Sequence, residues 1–368
     1  MKNTFGSNIT VTLFGESHGS AVGCTLDGVA PGIRVDMEYI RREMDKRRAV
    51  GDISTPRQEA DEVEIISGVK DGYTEGTPIT LLIRNESKIS AAYSELRIMP
   101  RPSHADFTAE CKYHGYQDHS GGGHFSGRLT APLVAAGAIL RSALLGLGIK
   151  IGTHISSLHG ISDIPFSNIG ADIDRLSALR FPVLSTDAAE AMKERIKEVK
   201  GELDSVGGVL ECAIVGVPTG LGEPWFDTVE GLLAHAMLSI PGVKGIEFGA
   251  GFALANMKGS EANDPFYTEG GKIYTEKNNS GGVNGGITNG MPIVFRLAVR
   301  PTPSIGKEQK TVDLEKMENT TVSVGGRHDP AIIHRARAVV DALAAIVIAD
   351  LIATRYGTDH LAGGASGK

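Results

Sequence analysis

Two stretches of this chain are apolar on every side of a helix, and they constrain its fold more than any other feature. Residues 130–147 carry one charge, Arg141, in a run of Ala, Leu and Ile, and residues 335–354 are similar. A helix without a polar face belongs between other layers, not on a surface. β-Branched runs supply candidate layers at residues 9–14, 21–26, 63–66, 79–83, 209–217, 246–254 and 292–299. They do not alternate with helices as repeated βαβ units would, which favours α+β over a doubly wound sheet. No Pro/Ser-rich linker or internal repeat interrupts residues 1–368, so the chain reads as one domain. Asp36 is placed to cap a helix running to Arg48, and Asp187-x-x-Glu190 has the pattern of a capping box opening an amphipathic helix to about Lys200.

The net charge of −7 provides no global field for nucleic acid, so anionic ligands must be met by local clusters of Arg and Lys. Cys24, Cys111 and Cys212 form no CxxC pair, which argues against a disulfide framework or zinc knuckle and for a reducing compartment. No signal-peptide pattern opens the sequence, and the apolar run 342–349 is too short to span a bilayer. The chain reads as soluble and cytoplasmic, with neither nucleic acid nor membrane as partner.

Glycine, at 47 residues, concentrates in loops that also carry His and Arg: residues 120–124 (SGGGH), 280–286 (SGGVNGG) and 325–327 (GGR). Such loops turn the chain, and they also let backbone N–H groups approach an anion. Gly15-Glu16-Ser17-His18-Gly19 fits the G-x-S-x-G nucleophile elbow of a serine hydrolase. The elbow requires a helix after the motif, and Ala21 to Leu26 is a poor helix. The Ser17–His18 pair remains suited to proton transfer, because imidazole titrates near neutrality. His114, Asp118, His119 and His124 lack metal-ligand spacing, and no metal is expected. Arg41, Arg42, Lys46, Arg47 and Arg48 form either a solvated helix face or a site for phosphates and carboxylates. Neither a dinucleotide fingerprint nor a Walker A loop is present. The residues by themselves reach an enzyme with a polyanionic ligand and histidine acid–base chemistry, without specifying a reaction.

Together these segments resemble the chorismate synthase family along nearly the whole chain. Residues 15–32 (GESHGSAVGCTLDGVAPG), 101–106 (RPSHAD), 121–138 (GGGHFSGRLTAPLVAAGA) and 325–330 (GGRHDP) are similar to its signatures. GVKG (242–245), GGITNG (285–290) and RPTPSI (300–305) follow in family order. The resemblance implies a β-α-β sandwich with buried helices between antiparallel sheets, assembled as a homotetramer. It implies a carbon–oxygen lyase of aromatic amino acid biosynthesis. The reaction is anti 1,4-elimination of phosphate from 5-enolpyruvylshikimate 3-phosphate, giving chorismate, with reduced FMN required but not consumed.

By the same resemblance, His18 matches the acid beside the departing phosphate and His104 the histidine that protonates or hydrogen-bonds the flavin. Asp329, with Ser17, matches a proton relay. Arg47, Arg48, Arg57, Arg101, Arg128 and Arg327 match anion-binding positions. His124, Phe125, Ser126, Gly285, Arg300, Pro301, Thr302, Pro303, Ser304 and Arg327 fall on FMN-loop positions. Arg300 stands where the family usually has Lys, and His124-Phe125 where Arg-Ser is common. Whether NADPH reduces the flavin on the protein or an external flavin reductase does so is left open. The alternatives are a serine hydrolase acting through Ser17 and a non-catalytic flavin- or polyanion-binding protein.

Overall fold

Ten strands form two antiparallel five-stranded sheets, with buried and exposed side chains alternating most clearly at residues 79–84 and 293–299. The structure, a computed structural model, describes residues 2–54, 60–86, 97–324 and 329–363. The first sheet contains β1 (Thr4–Phe5), β2 (Thr10–Gly15), β3 (Ala21–Asp27), β4 (Val63–Ser67) and β5 (Ile79–Arg84), in the order β1-β2-β3-β5-β4. The second contains β6 (Lys150–Leu158), β7 (Ile161–Ser162), β8 (Gly208–Val215), β9 (Val243–Phe248) and β10 (Ile293–Val299), in the order β9-β10-β8-β6-β7. Inward residues such as Val22, Cys24 and Leu26 on β3, and Phe295 and Leu297 on β10, are wholly or almost wholly buried.

The two apolar helices lie between the sheets. Thr130–Gly146 packs on the first sheet and Ile333–Tyr356 on the second, and the two pack on each other. They approach so closely at Gly137 that a β-carbon there would sit 2.4 Å from that of Ala342. By length and composition the segment 127–146 could cross a bilayer, but most of it is enclosed by protein. The α+β sandwich expected from the sequence is the observed fold.

The polar side chains inside this layer each make hydrogen bonds, while Arg141 Nε, Arg337 Nε, His334 Nδ1 and Asp341 Oδ2 have no hydrogen-bond partner among the described residues. Arg141 donates to Glu43 Oε2 at 2.6 Å and to the Ile151 carbonyl at 2.5 Å, and Asp341 accepts from Thr153 Oγ1 at 2.7 Å. Arg337 caps the helix Ile169–Ser177 by donating to the carbonyls of Leu176 and Leu179. His334 is fully buried, with Nε2 2.8 Å from Ser54 Oγ. Burial, with help from Arg335, Arg180 and Arg337, pushes the His334 pKa down to about 3. The unfolded chain therefore binds a proton that the folded chain refuses between about pH 6.5 and pH 3. Stability should fall on acidification through that window by about 1.4 kcal/mol per pH unit from this residue. Denaturant unfolding across pH 4–7 should show the slope reduced by one proton in His334→Asn.

Several boundaries differ from those read from sequence. The helix capped by Asp36, whose carboxylate accepts from the backbone N–H groups of Glu38 and Tyr39, is Met37–Asp45. Three tight turns, each closed by a backbone bond to the residue three before, then follow through Lys46, Arg47 and Arg48. The basic cluster is thereby split, with Arg41 and Arg42 exposed and Lys46 and Arg47 buried. The cap of Thr186–Gly201 is Ser185, which accepts from Ala188 N, so Asp187 sits in the first turn. The strand expected at 246–254 stops at Phe248, because Gly249 and Gly251 take φ of +55° and the chain turns away.

Candidate active site

The three glycines after Ser120 allow the site to assemble. Gly121, Gly122 and Gly123 have φ of +62°, +84° and +52°, a turn that side-chain-bearing residues would strain. The turn is clipped to the end of β2: Ser17 N donates to the Gly123 carbonyl at 3.2 Å and His124 Nδ1 to the Gly15 carbonyl at 2.9 Å. Ser17 Oγ lies 3.1 Å from the carbonyls of both Ser120 and Gly121, and 3.2 Å from His18 Nδ1. A β-carbon on Gly121 would sit 2.0 Å from His18 Cε1, and one on Gly122 would lie 3.4 Å from His104 Cε1. This turn therefore runs between the two histidines singled out from sequence. The segment after Gly19 is strand β3, not a helix, so Ser17 does not occupy a nucleophile elbow.

His104 is held from behind. Its Nδ1 lies 2.6 Å from Asp106 Oδ1, and Arg101 grips the same carboxylate through Nε at 2.8 Å, NH2 at 2.8 Å and its backbone N–H at 2.9 Å. Burial raises the Asp106 pKa, but the hydrogen bonds from Arg101 and His104 outweigh it and hold the carboxyl well below the usual range. An ionised carboxylate only accepts, so Nδ1 carries the proton and Nε2 is left for exchange with a ligand. Arg101 NH1 also donates to Ser304 Oγ at 3.3 Å, and Arg300 donates to the Ser103 carbonyl at 2.6 Å, which ties loop 300–304 to loop 101–106.

Arg47 and Arg128 share the carboxylate of Asp61 from opposite sides. Arg47 also donates to Thr130 Oγ1 and the Gly127 carbonyl, Arg128 to Asn85 Oδ1 and the Arg84 carbonyl. Arg48 is exposed, paired with Asp45 at 2.7 Å and bonded to the Ala60 carbonyl. Asp329 is deeply buried; its Oδ2 takes a 2.5 Å bond from Arg335, while Oδ1 has no partner among the described residues. Burial raises the Asp329 pKa, opposed by Arg335.

These groups surround a cavity of about 1370 Å³. Its described wall carries seven cations (Arg47, Arg48, Arg128, Arg180, Lys244, Arg300 and Arg335) against two carboxylates, Asp61 and Asp329. His104, His124 to Ser126 and Arg300 to Ser304 also line it. The structure thus brings most of the residues named from sequence to one place, with three qualifications of position. Arg101 stands behind His104 and is spent on Asp106. His18 and Ser17 are not in the wall; they abut Gly121, which is. Gly285 lies in the turn joining Val283–Asn284 to Ile287–Thr288 and is not part of the cavity wall. Arg57 and Arg327 lie outside the described residues. Asp61, Asp106, Arg180, Lys244 and Arg335 were not among the site residues read from sequence. Two of them had a signal there: Asp106 lies two residues after His104 in RPSHAD, and Lys244 is the lysine of GVKG (242–245). His119 comes no nearer than 3.7 Å to Glu110, and no group of three or more His, Cys, Asp or Glu side chains among the described residues is arranged to hold a metal ion.

A strongly basic cavity in an acidic protein, with His104 and His124 in its wall, belongs to an enzyme of small polyanions. Comparison with known proteins gives the particular kind. The family model for chorismate synthase matches residues 9–353. The chorismate synthase of Thermococcus gammatolerans is 46% identical over 351 residues, covering 95% of this chain and 97% of that one. That of Methanosarcina barkeri is 47% identical over 353 residues, 95% of each. A crystal structure of chorismate synthase superposes with a TM-score of 0.75 at 30% identity, over 96% of this chain and 94% of the other. The chain belongs to the chorismate synthase family, and its activity is that family's: a carbon–oxygen lyase reaction of aromatic amino acid biosynthesis, converting 5-enolpyruvylshikimate 3-phosphate to chorismate and phosphate.

Proposed function

We propose that the elimination takes place in the 1370 Å³ cavity, with reduced FMN bound beside the substrate. The observation that carries this is the wall's excess of cations over carboxylates in a chain of net charge −7. A phosphate and two carboxylates on the substrate, and one phosphate on the flavin, require such a wall. The volume also exceeds the roughly 300–1,000 Å³ usual for a single small ligand.

The residues present fit a flavin. Thr302 Oγ1 is buried in the wall with no hydrogen-bond partner among the described residues, Tyr113 supports the Phe125 ring edge to face at 5.8 Å, and Leu133, Val339 and Leu343 provide an apolar floor. Loops 124–126 and 300–304 would hold it, with His104 Nε2 as a hydrogen-bonding or proton-donating atom. When bound, reduced FMN supplies the electron density that an unactivated C–H bond and a poor leaving group require. Arg47, Arg48 and Arg128 neutralise substrate anions, with Arg57 and Arg327 assigned the same part by resemblance. His18 gives its proton to the departing phosphate, with Ser17 bonded at Nδ1 to hold the ring. Asp329, its basicity raised by burial, accepts the proton removed from the substrate. Arg101 acts through Asp106 and not on phosphate.

The same reading makes residues 1–368 one cytoplasmic domain, supported by the single continuous apolar core. Exposed Trp225, Phe226, Phe252, Phe266 and Ile273 support assembly into a homotetramer. NADPH, or an external flavin reductase, would keep the flavin reduced. The test is anaerobic assay of purified protein with reduced FMN. Phosphate release is expected with the wild type and loss of at least about 100-fold in kcat with His18→Ala or His104→Ala, FMN still binding. Unchanged substrate under those conditions would refute the proposal, and near-normal turnover by either variant would remove that histidine from the chemistry.

A further inference from the structure

Arg335 leaves the first turn of the second buried helix pointing toward two parts of the site at once. Its NH1 donates to Asp329 Oδ2 at 2.5 Å, and its Nε donates to the Arg47 carbonyl at 2.8 Å. It is half-buried, it lines the cavity, and its helix is locked between the two sheets. We infer that Arg335 is a positioning residue: it holds Asp329 ionised and fixed in place, and pins the turn that presents Arg47 and Arg48. The inference rests on the proton-accepting role of Asp329 proposed above.

The physical reason is that Arg335 supplies the largest opposition to the burial of Asp329 and its one side-chain hydrogen bond among the described residues. One carboxylate oxygen, Oδ1, is buried with no donor among the described residues. Burial drives the carboxyl toward its neutral form, which cannot accept a proton. Opposing that are the Arg335 charge and hydrogen bond, the backbone N–H of Ala331 and, more remotely, Lys200. His334, beside Arg335 in sequence, is neutral near pH 7 and contributes no charge. With Arg335 removed, the carboxyl should shift further toward its neutral form, and the reaction should lose acceptor to the same extent. An arginine that merely bound substrate would act differently, through substrate affinity.

The decisive comparison is Arg335→Met, which keeps length and removes charge, with Arg335→Lys, which keeps charge. Infrared titration of the flavin-free protein, with Asp329→Asn subtracted to isolate that carboxyl, should show its titration at least one pH unit higher in Arg335→Met. Arg335→Lys should restore most of the difference. In turnover, Arg335→Met should lose kcat by at least about tenfold at pH 7 and recover as pH rises, following the shifted carboxyl. The substrate KM should stay within a few-fold. An unchanged Asp329 titration sinks the Arg335 inference alone. So does a kcat loss with no pH-dependent recovery, or an effect confined to KM. Wild-type turnover by Asp329→Asn would sink the reading beneath it, and the inference with it, whatever the infrared result.

Discussion

Gly121→Ala should lower turnover by at least about 100-fold while the protein still folds. The added methyl would sit 2.0 Å from His18 Cε1, 2.1 Å from its Nδ1 and 2.8 Å from Ser17 Oγ. Non-bonded carbons come no closer than about 3.5 Å without repulsion, so the imidazole or the whole turn must move by more than an ångström. A displacement of that size at a reacting group costs about 100-fold. The backbone contributes as well, since Gly121 has φ of +62° and a side chain there costs roughly 1–2 kcal/mol. That strain lies in a surface-connected turn and leaves the sheets and buried helices intact. The expected result is a cooperative thermal transition lowered by a few degrees, with kcat lost far out of proportion. Turnover within twofold of wild type would show that the Ser17–His18 pair is not part of the chemistry.

The architecture was legible because its strongest signals are local. A long Ala-rich run with no polar face must be enclosed, and both helices are found between the sheets. Strands β2, β3, β5, β8 and β10 announce themselves by β-branched residues whose inward members are apolar. Strand β6 does not: in Lys150–Leu158 polar Thr153, His154, Ser156 and Ser157 interrupt the apolar pattern. Thr153 pairs with Asp341, and His154 lies between Asp163 at 2.8 Å and Glu211 at 3.0 Å. Polar residues that are buried because distant partners satisfy them cannot be recognised from one strand's sequence. The strand read as 246–254 was overextended for the opposite reason: Gly249 and Gly251 look tolerable in a strand until the carbonyl of Asn279 occupies the space beside one of them.

In the site, motif membership located positions but not the direction of side chains. His104 and Arg101 lie in one short motif, and nothing in it reveals that Arg101 turns onto Asp106. Arg180, Lys244 and Arg335 come from elements far apart in the chain and become neighbours only when the sandwich closes. Asp61 is unremarkable until Arg47 and Arg128 converge on it. A basic cluster on a helix likewise could not show which of its members the last turn would swing inward.

Asp106→Asn carries the largest expected effect outside the histidines themselves, a loss of roughly 10²–10⁴ in kcat, the range associated with a general acid–base group. In the wild type both carboxylate oxygens accept: Oδ2 from Arg101 Nε and the Arg101 backbone N–H, and Oδ1 from Arg101 NH2 and His104 Nδ1. An amide has one acceptor and one donor. Its oxygen would stay with Arg101, which offers only donors, and its NH2 would face His104 Nδ1. That ring nitrogen must then accept, and the proton moves to Nε2, reversing the state in which the ring meets its ligand. Nitrogen NMR of labelled protein should report the exchanged tautomer directly, with Arg101 and loop 300–304 still in place. A stability readout gives an independent check. The folded Asp106 carboxyl has a depressed pKa, so its contribution is present above the ordinary carboxylate range, near pH 4, and is lost as pH falls further toward the folded value. The stability gap between wild type and Asp106→Asn should therefore be full at pH 6–7 and close on acidification. Unchanged kcat with an unchanged His104 tautomer would mean that Asp106 is a tether for Arg101 and nothing more.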